Sequence, residues 1–242
     1  MNYNTQPYFD IQHDNQHIVT IKPFADAIAD EQGILGRLQQ FVALVTAILN
    51  EKEVRGLIYT CPLNNKQTDY LSLFDQVSSG RFDPETLLKT TLQALQWKSQ
   101  NKPIVSIFDD ECTGIGLATM LWSDYRIAGP GIKMGFPESK FGLFTGFGAT
   151  ICLPQLIGSV QALNLLTQPG LIPGQTALES GLLNEVAADF DLCLLQAKNW
   201  ILTNSKQSVS AAYSTMPSAE FEAACSAILK KTRGLLPGSN AV

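Results

Sequence analysis

The chain has 242 residues and a net charge of −5, with 45% of its residues hydrophobic and only 16% charged. That length can bury a substantial core in one large domain or two small ones. An acidic balance without a Lys/Arg run argues against nucleic acid or a membrane as partner, while a local basic patch for a phosphorylated ligand stays open. Sparse surface charge points to an oligomer whose apolar faces are covered by other subunits. Cys61, Cys112, Cys152, Cys193 and Cys225 are far apart and form no CxxC. Neither a metal site nor a disulfide framework is expected, and a reduced cytoplasmic setting fits. The start shows no basic segment followed by an apolar stretch, and no uncharged apolar run reaches about 18 residues, so neither a signal peptide nor a membrane span is expected.

In chain order, residues 8–11 and 17–21 cluster apolar residues around a polar DNQ turn, the pattern of a hairpin. His13 and His17, the only histidines, lie in that polar hairpin and receive no role. Between residues 33 and 52, Ile34, Leu35, Leu38, Phe41, Val42, Val45, Ile48 and Leu49 recur at three- and four-residue intervals, which predicts an amphipathic helix. Residues 54–60 then read as a buried strand. A helix over 84–100, with Asp83 as N-cap and Pro84 at its first position, precedes a second buried strand over 103–108. This helix–strand rhythm is that of a parallel α/β sheet. The polar connection 61–80 is either a functional loop or a plain surface one. Short helices over 159–167 and 174–181, a strand over 182–186, and helices over 191–203 and 218–232 complete the chain.

Residues 102–158 organise the rest. A buried strand ends in an acidic turn (Asp109, Asp110, Glu111), a glycine-started helix follows, and a glycine-rich loop carries one carboxylate, Glu138. A strand that feeds a helix N-terminus leaves N–H groups without intrahelical partners, and these can hold developing negative charge. With Glu138 facing that point, the stretch would hold both an oxyanion binder and a proton carrier.

The motifs here are KP at 102–103, GIG at 114–116, SDYRIA at 123–128, MGFPE at 134–138, GLFTGFGAT at 142–150 and LPQLIG at 153–158. In this order and without a gap they resemble the crotonase (enoyl-CoA hydratase/isomerase) family, whose corresponding runs include CDxRIA, FGxPE and GLxPGxGG. The run LLTQPGLIPGQTALESGLLNEV at 165–186 extends the resemblance. The resemblance implies an α/β fold, a crotonase-like spiral of ββα units over 1–190, with a C-terminal helical trimerisation region over 191–242. It also implies assembly as a homotrimer or hexamer. The implied substrate is an acyl-CoA thioester, with no cofactor beyond the coenzyme A of the substrate itself. Two backbone N–H groups would hold the thioester oxygen, here those of Ile115 and of a residue near Lys66. Gly114, Phe136, Pro137, Phe141 and Phe144 fall where substrate would bind; with Phe147, the phenylalanines either line an acyl pocket or form a plain core. The segment 227–242 resembles the stretch that follows the hydratase half of bifunctional fatty-acid oxidation enzymes, which would make this chain a fragment or a stand-alone relative of such a half.

The chain departs from the family at three places. Asn65, Lys66 and Gln67 replace a small-residue loop. Of the two glutamates that a hydratase uses on water, one position falls on Ala118 and the other on Glu138. Asp109 and Asp110 replace an NG turn, either as a substitute carboxylate or as turn residues. A methyl group can neither hold nor deprotonate water. The departures therefore imply a single-carboxylate isomerase moving a 3-enoyl to a 2-enoyl double bond, with hydration next in order. The alternative is an acyl-CoA-binding or assembly subunit that has lost the chemistry. Glu138 itself is either the acid/base or a cap for a following helix.

Overall fold

A computed structural model describes residues 8–24, 33–61, 79, 83–108, 111–141 and 145–204. The expected hairpin is present as β1 (Phe9–His13) and β2 (Ile18–Pro23), paired antiparallel with Phe9 opposite Pro23. Its turn is closed by Asp14, whose Oδ1 accepts from the N–H groups of Gln16 and Ile18, both at 3.0 Å. That replaces backbone partners that the turn cannot supply.

From β2 the sheet grows by parallel pairing. The strand β3 (Gly56–Thr60) lies beside β2, β4 (Ile104–Phe108) beside β3, β6 (Tyr125–Ala128) beside β4, and β9 (Glu185–Val186) closes the edge. Strands β3 and β4 are buried at every residue, as parallel strands covered on both faces must be. A three-stranded second sheet holds β5 (Cys112–Thr113), β7 (Lys133–Gly135) and β8 (Ile172–Pro173).

Helix α1 (Gly33–Asn50) covers one face, its stripe of Leu38, Phe41, Val42, Val45 and Ile48 wholly buried. By length and mean hydropathy (1.2) it alone among the described residues could cross a membrane. Its apolar side, however, lies in the core with Leu57 and Tyr59 of β3, and Arg37 sits within it. Helix α2 (Pro84–Leu95) begins at the predicted cap, where the Asp83 carboxylate accepts from the N–H groups of Glu85 and Thr86. It ends five residues before the expected boundary and tightens into a 3₁₀ turn, Gln96–Ser99. That turn seats Trp97 in the core, where its ring meets Phe41 edge-on and its N–H donates to Thr46 Oγ1 at 3.0 Å.

The opposite face is covered by α7 (Phe190–Thr203). Cys193, Ala197 and Ile201 pack with Ile18, Ile58, Val105, Ile107 and Ile127 in a second cluster. Between them in sequence lie α3 (Gly114–Met120), α4 (Ala149–Ile157), α5 (Ser159–Thr167) and α6 (Gly174–Glu179). The expected strand over 182–186 shrinks to Glu185–Val186. Its first residues are engaged elsewhere: the Leu182 carbonyl accepts from Arg126 Nε at 2.7 Å, and Leu183 N–H donates to Ala177 at 3.0 Å. The expected helix over 218–232 and the tail 227–242 lie outside the described residues.

Candidate active site

The small second sheet sets the geometry. Strands β5 and β7 run parallel with Cys112 opposite Met134 and Thr113 opposite Gly135. Two chain segments therefore leave the same end of the sheet: α3, starting at Gly114, and a 3₁₀ turn, Pro137–Phe141, that carries Glu138. The strand-to-helix step is made by Gly114 at φ 56°, in the left-handed region that a side chain disfavours. The N-cap residue Thr113 makes no side-chain cap bond, and the first N–H groups of any helix lack intrahelical partners. Every residue of α3 is buried, so those donors, including that of Ile115, lie within the protein.

The end of β3 arrives at the same place. Cys61 Sγ stands 3.2 Å from Cys112 Sγ, both residues buried. Cys61 is thus the last described residue before the connection that contains Lys66, and it touches the residue three positions ahead of Ile115. Asn65, Lys66, Gln67, Asp109, Asp110 and Phe144 lie outside the described residues.

Glu138 is only 2% exposed. Its Oε1 accepts from the hydroxyl of Thr145, itself buried, and its Oε2 has no hydrogen-bond partner among the described residues. Burial pushes its pKa up from 4.5 to about 7, and its own backbone N–H acts against that rise. Among the described residues no charged group contributes to that shift. An unpartnered buried polar atom costs about 1–3 kcal/mol, so the arrangement works against the protein's stability. It yields a carboxyl that changes protonation state near neutrality, the requirement for moving protons in both directions.

The aromatic residues separate. Phe136 is in the core at 1% exposure, whereas Phe141, at the end of the 3₁₀ turn, is 44% exposed. Pro137 is partly buried between them. Ala118, one turn into α3 from Ile115, is wholly buried. A cavity of about 400 Å³ lies elsewhere, lined by Ile157, Gln161, Leu165, Ile172, Thr176 and Glu179 of α4, α5, α6 and β8, and includes none of these site residues. Among the described residues, no group of three or more His, Cys, Asp or Glu stands together as a metal would require.

The polar residues of the SDYRIA run serve the fold. Asp124 Oδ2 accepts from the Ile104 N–H at 2.9 Å, Ser123 Oγ and Ser106 Oγ are 2.7 Å apart, and Arg126 donates to the carbonyls of Leu182 and Ser123. The loop after Glu138 is packed closely. Gly148, at φ 77°, has no room for a Cβ, which would stand 2.5 Å from the Trp122 ring, and Trp122 Nε1 donates to the Phe147 carbonyl at 3.0 Å.

Two features were not read from the sequence. The contact of Cys61 with Cys112 joins residues too distant for any local pattern to pair. Thr145 had a signal: it stands where the GLxPGxGG pattern has proline, so a hydroxyl donor replaces a residue that has none.

Comparison with known proteins agrees with this layout. Residues 44–233 match the model of the enoyl-CoA hydratase/isomerase family. Among solved structures, an enoyl-CoA hydratase from Geobacillus kaustophilus HTA426 superposes with a TM-score of 0.72 at 20% identity, over 93% of this chain and 89% of that one. The enoyl-CoA hydratase from Bacillus halodurans gives 0.71 at 20% identity, over 93% and 92%. That from Thermoplasma volcanium GSS1 gives 0.70 at 21%, over 98% and 96%. The structural likenesses establish a crotonase-like α/β fold, and with well over half of its length matched by the family model, the chain belongs to the enoyl-CoA hydratase/isomerase family of the crotonase superfamily.

Proposed function

We propose that the chain is an acyl-CoA enzyme that isomerises 3-enoyl-CoA to 2-enoyl-CoA, with Glu138 as the only acid/base. The observation that carries this is the state of Glu138: buried, poised near neutrality and with one oxygen unpartnered among the described residues. The backbone N–H of Ile115 and one near Lys66 receive the thioester oxygen as it becomes an enolate, each worth about 3 kcal/mol in the transition state. The Glu138 carboxylate takes a proton from C2, and the electron pair moves into the enolate. The same carboxyl, now neutral, returns the proton at C4, leaving the double bond between C2 and C3. The reaction needs no cofactor beyond the coenzyme A of the substrate. Hydration would need a second group to hold and deprotonate water, and the position for it is the buried methyl of Ala118. Exposed Val160 and Leu163, one turn apart on α5, support a homo-oligomer, for which the family resemblance implies a trimer or pair of trimers.

The test is turnover of 2-enoyl-CoA and 3-enoyl-CoA substrates of several chain lengths by the wild type and by Glu138→Gln. The variant is expected to lose isomerase activity by about 10²–10⁴-fold with ligand binding nearly intact, and the wild-type kcat/KM is expected to rise through a midpoint near pH 7. Full activity in the variant sinks the proposal. Ala118 also favours a second reading, an acyl-CoA-binding or assembly subunit without chemistry. Tight acyl-CoA binding with no turnover of either substrate class by the wild type selects it.

A further inference from the structure

Resting on the acid/base reading of Glu138, we propose that Thr145 is a positioning residue. By donating its hydroxyl hydrogen to Oε1, it reserves Oε2 as the one oxygen that exchanges a proton with the substrate. An isolated carboxylate has two equivalent oxygens. Once Oε1 accepts from a hydroxyl, a proton placed on Oε1 would require the Thr145 hydroxyl to turn and accept instead of donate. A proton on Oε2 leaves the contact as it is. Thr145 therefore fits Glu138 in both of its protonation states, and the same oxygen can take the C2 proton and deliver it to C4 without the carboxyl turning over. One proton leaves carbon for Oε2 and one leaves Oε2 for carbon, so nothing is consumed.

The surroundings fix the donor. Thr145 is 5% exposed and Glu138 2% exposed, so water does not compete freely for Oε1. The residues that follow are held by packing. A Cβ on Gly146 would lie 2.4 Å from Leu87 of α2, Phe147 sits at φ 55°, and its carbonyl is tied to the Trp122 indole. The hydroxyl is thus aimed by a backbone wedged between α2 and the end of α3. Lys140, the nearest charged residue in the chain, is exposed, and none of the described charged groups contributes to the Glu138 titration. The contact belongs to this chain rather than to the family pattern, because proline at this place could not donate.

The experiment pairs Thr145→Val, which removes the hydroxyl at nearly constant shape, with Thr145→Ser, which keeps it, and uses Glu138→Gln as control. The Glu138 carboxyl is titrated by infrared difference spectroscopy, with Glu138→Gln identifying its band. Turnover of 3-hexenoyl-CoA is followed against pH. In Thr145→Val the carboxyl midpoint and the kinetic midpoint should both rise by about one pH unit, because the charged form has lost a donor. At neutral pH kcat should fall about tenfold with KM unchanged. Thr145→Ser should restore both. If Thr145→Val does not fold, Thr145→Ala carries the same measurements. Unchanged midpoints in the hydroxyl-free variant, with Glu138→Gln inactive, overturn the positioning role and leave the acid/base reading standing. Activity in Glu138→Gln overturns that reading, and with it the catalytic role given to Thr145, whatever the infrared titration shows of the contact.

Discussion

Among the described residues two carboxyl groups are buried, and their surroundings differ. Asp124, between α3 and β6, accepts the Ile104 N–H at 2.9 Å and has Lys98 Nζ 3.9 Å away. Around it Ser106, Ser123 and Arg126 bond to one another and to carbonyls of neighbouring segments. Glu138 is as deeply buried, yet it has one neutral donor on one oxygen and, among the described residues, nothing on the other. Burial therefore does not separate structural from reactive carboxyls here; the lysine ammonium beside Asp124, which has no counterpart at Glu138 among the described residues, does. The Asp124 cluster joins β4, β6 and the 182–184 segment, whereas Glu138 has no cation beside it among the described residues and keeps a titrating oxygen available.

Removing one member of the Asp124 cluster should have the largest effect on stability. Asp124→Ala strands the Ile104 N–H and the Lys98 charge, and urea unfolding should show a loss of about 4 kcal/mol. The infrared titration of Glu138 should stay in place if that variant folds. A loss below about 0.5 kcal/mol, the scale of an ordinary surface change, would break the contrast.

The next effect runs the other way at Glu138. The folded chain holds this proton more tightly than the unfolded chain, where the ordinary value of 4.5 applies. Its contribution to stability is fully present below about pH 4.5 and is lost as pH rises through about 7. The shift corresponds to about 3 kcal/mol. Glu138→Gln should accordingly gain stability relative to wild type by about that amount between about pH 4 and pH 8. Unfolding curves of the two proteins that stay parallel across that range would show that Glu138 ionises as easily folded as unfolded.

A smaller effect is expected at Gly148→Ala, which forces a side chain into a left-handed position and toward the Trp122 ring. A loss of about 2 kcal/mol in thermal or urea unfolding is expected. A neutral result would mean that the loop behind Thr145 can give way, and would sharpen the comparison by making the Glu138 surroundings soft as well as unsatisfied.

Much of the frame was legible because its signals are local. The DNQ turn, the stripe from Ile34 to Leu49 and the Asp83–Pro84 helix start each act within a few residues, and each appears where expected. Glu138 was legible as the only carboxylate of a glycine-rich motif. What escaped is non-local. Helix α2 stops early because Trp97 reaches across to Thr46 and Phe41 of α1, and the strand at 182–186 is short because Arg126, more than 50 residues away, takes the Leu182 carbonyl. The partner of Glu138 is only seven residues distant, yet nothing in a Thr-Gly-Phe-Gly run says which way its hydroxyl points.

Trp122 carries one more consequence, an optical one. Its indole is 1% exposed, lies edge-on to Phe147 with centroids 5.8 Å apart, and is hydrogen-bonded to the carbonyl two residues beyond Thr145. A ligand that shifts this loop must also change the polarity and hydrogen bonding around the indole. The protein thus contains an intrinsic fluorophore next to its candidate catalytic loop. Its emission, separated from Trp97 and Trp200 by a Trp122→Phe difference spectrum, offers a direct screen of acyl-CoA ligands before any turnover has been measured.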